Sequence, residues 1–325
     1  MKPLISIVCP TYNVEEYIIN FSKSILNQTA ENFELIFVND GSTDNTQNLL
    51  ETIRKTDSRV LIINKENEGA GEARNIGFSV SSGEYVLFAD PDDTFEHNFI
   101  NEIGSYLTKF EPEVTLFGYN TISIDGRKLK SISNNNQAFF KSKREFREAF
   151  SKIENENNYN SVWNKIYKTD FLKKTGIKFP KNPTAQDAIF NYRLINKINT
   201  LLVIPKYYYN YLTKRVGSAQ NSSHKKYLDE YELMKQKIES FDSWDNVLSI
   251  PLSNQAVIDF LTTQIITYNG TVPRELKISK EFIEANELLK SIKINQENTL
   301  VNNLKIFLLK NNQYKILYQI YKIII

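Results

Sequence analysis

Tyr85-Val86-Leu87-Phe88-Ala89-Asp90-Pro91-Asp92-Asp93 is the stretch that decides the fold. An apolar run stops abruptly at three carboxylates spaced D-x-D-D. Strands without polar alternation belong to sheets covered on both faces, and parallel sheets are the common case. Ligands of such sheets gather at the carboxyl ends of the strands. Carboxylates at that edge have hard oxygens that suit Mg²⁺ or Mn²⁺, with phosphate oxygens and water filling the remaining positions. One or two Asp beside Pro91 would read as a solvated turn. Three, after a strand this apolar, weigh against that reading.

Working outward, residues 1–120 alternate between strand-like and helix-like periods. Leu4 to Cys9 is a first strand, broken by Pro10-Thr11-Tyr12-Asn13. From Glu15, the spacing of Tyr17, Ile18, Phe21 and Ile25 predicts one helical face. Glu34 to Val38 is a second strand closed by Asn39-Asp40-Gly41-Ser42, and Asp44 with its neighbours caps a helix to about Lys55. Val60 to Ile63 is a third strand, Ala70 to Val80 is helical, and Ser81-Ser82-Gly83 turns the chain into the fourth strand at Tyr85. Such β-α repetition implies an α/β, doubly wound, mostly parallel sheet with right-handed crossovers.

The pattern then changes. Val114 to Tyr119 reads as a strand, and Asp125-Gly126 inside Ile122 to Arg127 predicts a hairpin. Residues 133–160 hold one exposed helix, Ser161 to Tyr167 a strand, Ala188 to Ile198 a helix and Leu201 to Tyr211 a strand. From about His224 the segments are helical, with Pro251 and Pro273 as boundaries. The expected division is an α/β domain over 1–220, in halves 1–120 and 121–220, followed by a C-terminal helical region over 221–325.

Composition narrows the function classes. A chain of 325 residues can bury a full core. Its net charge of +2 sets up no global field to recruit nucleic acid. The single cysteine, Cys9, excludes an intramolecular disulfide and a Cys-rich metal site, and it reads as a buried inert thiol. The start reads as a first strand and not as a signal peptide. No apolar stretch reaches the ~18 residues of a membrane span. A cytoplasmic protein is the expectation.

Four segments, Pro10–Asn13, Asn39–Ser42, Gly71-Glu72-Ala73-Arg74-Asn75 and Asp90–Asp93, follow predicted strands or sit just beyond them, and so converge on one sheet edge. With Val38–Thr46 and Ala73-Arg74-Asn75-Ile76-Gly77 the set resembles the family 2 glycosyltransferases of GT-A fold. Their P-x-Y-N, V-D-D-G-S-x-D-x-T, A-R-N-x-G and D-x-D-D motifs occur in that order. The resemblance is close over residues 4–120 and looser to about 220.

That resemblance implies an inverting transferase using a nucleotide sugar, and UDP as the nucleotide. Asp92 is the expected ligand of Mn²⁺ or Mg²⁺, with Asp90 touching the metal indirectly or the ribose hydroxyls. Asp93 would complete the metal shell or face the acceptor. Asp40 would accept the imide N–H of a uracil, as its family counterpart does. Pro10 and Asn13 belong to the donor turn, Thr11 and Tyr12 would wall the base, and Tyr12 would stack on it. Arg74 would pair with phosphate or order the metal loop.

In the second half, Ala185-Gln186-Asp187 opens a helix where the family carries E-D, and that Asp serves as general base. Gln186 departs from the usual Glu. A plain capping Asp is the bland alternative. Val162-Trp163-Asn164-Lys165-Ile166-Tyr167 resembles the family's W-x-K-L-Y, so Trp163 would platform an acceptor sugar or pack in the core, and Lys165 would meet the diphosphate. Arg215-Val216-Gly217-Ser218 resembles R-x-G-S and makes Arg215 a phosphate contact. His224 is a further metal candidate, or a surface residue, and His97 reads as surface.

Gly69-Ala70-Gly71-Glu72-Ala73-Arg74 begins like a dinucleotide fingerprint. Arg74 replaces its third glycine, and the segment follows the third strand rather than the first, so a dehydrogenase is not expected. A sugar nucleotidyltransferase would need a Gly-rich loop where Pro10–Asn13 has none. A catalytically inactive glycan-binding module is the other alternative. Residues 298–325 carry Lys305, Lys310, Lys315 and Lys322 and no acid, with Lys315, Gln319 and Lys322 on one polar stripe. The apolar remainder predicts burial against other helices, a homodimer contact, or peripheral contact with the inner membrane face. The expected acceptor is a glycan or lipid-linked glycan of a bacterial surface polysaccharide.

Overall fold

The computed structural model describes residues 2–133, 136–181, 184–213, 226–293 and 300–324. The chain divides into two compact units, Met1–Asn221 and Ser222–Ile325.

In the first unit β1 (Ile5–Thr11), α1 (Ile18–Leu26), β2 (Phe33–Asp40), α2 (Thr46–Thr56), β3 (Val60–Lys65), α3 (Ala70–Val80) and β4 (Tyr85–Phe88) alternate as the sequence predicts. Their strands pair in parallel in the order β3-β2-β1-β4. Val8 stands opposite Phe88 and Thr11 opposite Asn39, so the chain leaves β1, β2 and β4 at one edge. Both faces are covered, which is why the strands lack polar alternation. On one face Ile5, Ile7, Cys9, Leu35 and Phe37 pack with Phe21 and Ile25 of α1. On the other lies α3, whose Gly77 meets Val8 and Val38 so closely that an added Cβ would come within 2.4 Å and 3.1 Å of their methyl groups.

The unit continues through β5 (Thr94–Phe95), α4 (Phe99–Phe110), β6 (Val114–Ile122), β7 (Lys128–Ile132), β8 (Ala138–Phe140), α5 (Lys143–Asn157), β9 (Lys165–Lys168), α6 (Thr169–Thr175), α7 (Gln186–Leu194) and β10 (Leu201–Leu212). The sheet runs on as β4-β9-β6-β10-β5. Here β9 lies antiparallel to both neighbours, β6 and β10 run parallel to each other, and β5 pairs antiparallel with β10. The Asp125-Gly126 turn makes the expected hairpin of β6 and β7. The strand expected from Ser161 begins only at Lys165, because Ser161 and Lys165 donate to Asn158 and Val162 carbonyls in two tight turns.

In the second unit α8 (Lys226–Phe241), α9 (Asn246–Thr267), α10 (Arg274–Lys277), α11 (Lys280–Ser291), α12 (Leu300–Lys310) and α13 (Tyr314–Ile324) enclose a core of Met234, Ile258, Phe260, Ile265, Phe282 and Leu289. Pro251 does not bound a helix as expected; it lies inside α9, which starts at the Asp245 cap. Pro273 does stand at the cap of α10. Ile306, Leu308, Leu309 and Leu317 of α12 and α13 enter this core, while Val301, Leu304 and Phe307 remain exposed along one stripe of α12. Among the described residues no helix is long and apolar enough to cross a membrane.

Candidate active site

The turn after β1 and the loop after β2 are tied together before any ligand arrives. Asn13 adopts a left-handed φ of 50°, which lets its side chain turn back on the loop. Its Oδ1 accepts from Thr43 N–H at 2.8 Å, and its own N–H donates to Ser42 Oγ at 3.1 Å. Pro10 and Thr11 are buried, and the Thr11 hydroxyl donates to the Val38 carbonyl inside the sheet. Of the turn expected to hold a donor, the Tyr12 ring is open at 47% exposure, and Asn13 is exposed as well. Pro10 and Thr11 therefore shape the turn rather than offer side chains to a base, and Asn13 orders the neighbouring loop.

Asp40 ends β2 beneath the loop that leads into α3. Its Oδ1 accepts from Lys65 Nζ at 2.7 Å and Glu68 N–H at 3.0 Å, and Oδ2 from Gly69 N–H at 2.8 Å. A carboxylate has about four acceptor positions. Three are used here in ordering the loop, and one lone pair of Oδ2 is left.

The D-x-D-D turn is anchored from the far end of the sheet. Asp90 N–H donates to the Tyr209 hydroxyl at 3.1 Å, and Asp93 Oδ1 accepts from Leu212 N–H at 2.7 Å, both partners on β10. The expectation that Asp93 faces an acceptor is corrected here: it is buried to 1% exposure, and its Oδ2 is buried without a donor. Burial, and then the charges of Asp92 and Asp90, push its carboxyl well above the usual carboxylate range, against the Leu212 N–H. Asp92 and Asp90 stay partly open.

Arg74 joins this turn to the second half of the unit. From the buried face of α3 its guanidinium donates to Asp90 Oδ1 at 2.7 Å and to Asp187 Oδ1 at 2.9 Å. The ion pairs of Arg74 tie the D-x-D-D turn to α7. Asp187 is the second residue of α7, whose cap is Ala185 in a left-handed conformation at φ 58°. The capping alternative fails, since no side chain caps this helix. Burial raises the Asp187 pKa, the Arg74 charge opposes that, Asp90 adds to it, and Lys165 opposes it again. The net direction is upward.

Two further expectations are overturned by burial. Lys165 Nζ lies within hydrogen-bond reach of the Ser161 carbonyl, of Asn164 Oδ1 at 3.0 Å and of the Asn158 carbonyl at 3.4 Å, so its protons are used inside the protein. Burial drops its pKa well below the usual lysine value, so it is not placed to meet a diphosphate. Trp163 is 5% exposed and stacks on Tyr209 at 4.8 Å and Tyr211 at 5.3 Å, so it braces β10 instead of offering a platform. Arg215 and His224 lie outside the described residues. His97 is exposed, and Cys9 is buried with its thiol pKa pushed up by burial.

The sequence reading passed over Tyr209 and Asn75. Nothing in the run Tyr207 to Tyr211 marks which ring reaches Asp90. Asn75 was quoted only as part of a motif, yet its side chain bonds to the backbone of Phe179. Among the described residues no group of three or more His, Cys, Asp or Glu is arranged to hold a metal by itself.

The arrangement places one buried guanidinium between Asp90 and Asp187 at the carboxyl edge of a mostly parallel sheet. The model of glycosyl transferase family 2 matches residues 6–176 of this chain. Glycosyltransferase GlyG of Streptococcus pneumoniae is 38% identical over 120 residues, 37% of this chain and 40% of that protein. Poly(ribitol-phosphate) beta-N-acetylglucosaminyltransferase TarS of Staphylococcus aureus is 29% identical over 236 residues, 71% of this chain and 39% of that protein. The chain thus spans less than half the length of these curated relatives. The crystal structure of S. aureus TarS 1-349 in complex with UDP-GlcNAc superposes with a TM-score of 0.70 at 21% identity, covering 99% of this chain and 92% of that one. At that identity the likeness establishes a shared fold, here the GT-A-like α/β sheet followed by helices.

Proposed function

This chain belongs to glycosyl transferase family 2, and from that premise we propose that it transfers a sugar from a UDP-sugar to a glycan hydroxyl with inversion at the anomeric carbon. The observation that carries the proposal is the Arg74 bridge between the D-x-D-D turn and Asp187. It sets a proton acceptor of raised pKa beside the turn that would hold the donor's diphosphate. TarS of S. aureus, which shares the fold, was crystallised with UDP-GlcNAc, which supports UDP as the carrier.

Asp187 takes the proton of the acceptor hydroxyl as its oxygen bonds to the anomeric carbon. The bond from that carbon to the diphosphate breaks on the opposite face, and UDP leaves with the electron pair. Tyr12 offers an open ring for the base, and Asp40 a remaining lone pair for the uracil imide. Asp90 and Asp92 would hold Mn²⁺ or Mg²⁺, with the diphosphate and water supplying the remaining oxygens such ions need. The residues fit that ion: Asp90 and Asp92 both stay partly open, and Arg74 shares its single charge between Asp90 and Asp187. When bound, the ion would stabilise charge on the leaving diphosphate.

The proposal extends to place. A cytoplasmic enzyme acting on a growing or lipid-linked surface polysaccharide would use the exposed stripe Val301, Leu304 and Phe307 for peripheral membrane contact or for a second subunit. Its donor can be found by screening UDP-sugars with Mn²⁺ for a rise in melting temperature, since selective binding stabilises the fold by mass action. Stabilisation by UDP and one UDP-sugar is expected. No response to any UDP species, with or without metal, overturns the reading.

A further inference from the structure

Helix α3 touches the segment that delivers Asp187 at three points on one face. Gly71 leaves room for it: an added Cβ would come within 2.5 Å of Gln186 Oε1 and 2.6 Å of the Pro180 carbonyl oxygen. One turn on, Arg74 pairs with Asp187 itself. The next residue, Asn75, behaves like a strand neighbour. Its Nδ2 donates to the Phe179 carbonyl at 3.1 Å, and its Oδ1 accepts from Phe179 N–H at 2.9 Å. A side chain amide that satisfies both polar groups of one backbone residue fixes that residue in position and in direction. The other Nδ2 proton goes to Glu72 Oε2 at 3.2 Å, which holds the amide in this orientation. The Phe179 ring then stacks on Phe190 of α7, with centroids 4.0 Å apart and planes 4° from parallel. Phe190 is one turn along α7 from Asp187.

We propose that Asn75 is a positioning residue for the general base. It acts through Phe179 and α7 and touches neither donor nor acceptor. The donor half of the unit thereby sets where the proton acceptor of the other half stands. The inference rests on Asp187 being the base, and its test separates the two claims. Arg74 holds Asp187 by its carboxylate alone, whereas the Asn75 clamp acts on α7 through the stacked rings of Phe179 and Phe190.

The full chain would be assayed for UDP release from the UDP-sugar found in the stabilisation screen, alongside binding of UDP alone. Asn75→Ala should lower kcat roughly 10- to 100-fold, the usual effect of an ångström-scale misplacement, with UDP affinity and donor KM unchanged. Asn75→Asp keeps the acceptor for Phe179 N–H but turns an oxygen toward the Phe179 carbonyl. It should fall between wild type and Asn75→Ala, and it carries the test should Asn75→Ala fail to fold. In an Asp187→Asn background either substitution should have no further effect on kcat, because the group being positioned has gone. Independent losses in the double variant, or a fall in UDP affinity matching that in kcat, overturn the proposal. Wild-type turnover by Asn75→Ala together with a crippled Asp187→Asn refutes the positioning role alone. Full turnover by Asp187→Asn refutes the base.

Discussion

Arg74 reaches Asp187 at 2.9 Å, although 113 positions separate the two in the chain. Both carboxylates it holds are only partly covered, while the guanidinium itself is buried. A buried cation with two anions keeps each near the geometry it needs, and the planar fork of arginine can serve both at once. Lysine, a point charge on a flexible stem, cannot.

Arg74→Lys should therefore keep most of the stability and lose most of the turnover. Arg74→Ala leaves Asp90 and Asp187 without their cation. Breaking a fully buried pair costs about 3–5 kcal/mol, and the partial exposure of both acids brings the expected loss below that range. Chemical denaturation and kcat of the two variants check this. Equal losses of turnover and stability in Arg74→Lys would count against it.

The pH profile follows from the Asp187 environment. Folding favours the protonated form of this group, so its contribution to stability is full below the unfolded pKa and is lost as pH rises through the folded one. For catalysis the sign is opposite, since only the carboxylate accepts a proton. The acid limb of kcat should stand above the ~3.9 of an ordinary aspartate. Arg74→Ala, by removing the largest downward influence, should move it higher still. An acid limb at or below the ordinary value sinks the assignment.

Gly77 is the contact point of α3 with the sheet. A Gly77→Ala methyl gains about 1 kcal/mol in helix propensity, but it overpacks Val8 and Val38 at a typical cost of 1–3 kcal/mol. A net loss of up to roughly 2 kcal/mol is expected from these two effects. Because α3 also carries Arg74 and Asn75, kcat should fall in the protein that remains folded. A stabilised, fully active variant would show that the helix can move without consequence.

The exposed stripe on α12 can be tested without cutting into the helical core, which includes Ile306 and Leu309. Leu304→Gln with Phe307→Gln should leave the melting temperature nearly unchanged, as exposed substitutions do. Loss of flotation with anionic vesicles would identify a membrane surface, and a change in sedimentation would identify a subunit contact. If neither property changes, the stripe has no partner.

The first four strands and three helices were legible because apolar runs and helical periods recur there with turn residues between them. Their loops had to meet at one edge once the sheet was parallel. The reversed strand β9 was not legible: Lys165-Ile166-Tyr167-Lys168 has no pattern that fixes direction, and its neighbours β4 and β6 are distant in sequence. The fate of Lys165 was hidden for a related reason. Its burial depends on three acceptors, among them the carbonyls of Asn158 and Ser161, which only the folded turn brings together. Trp163 reads equally well as platform or core until Tyr209 and Tyr211 are seen beneath it. Asp187 could be recognised by its place at the start of a helix, but its tie to Arg74 required the tertiary structure.

The anchoring of the D-x-D-D turn by Tyr209 and Leu212 has a consequence for synthesis. Local βα pairs close early, whereas contacts between distant positions wait for the chain to return. A ribosome that has made β1 to β4 and the turn after it has released Asp90 and Asp93, whose partners on β10 do not yet exist. Asp187 also emerges long after Arg74. The nascent chain therefore shapes the loops after β1 and β2 well before Arg74 and the D-x-D-D turn meet their partners, and this edge of the sheet is completed last.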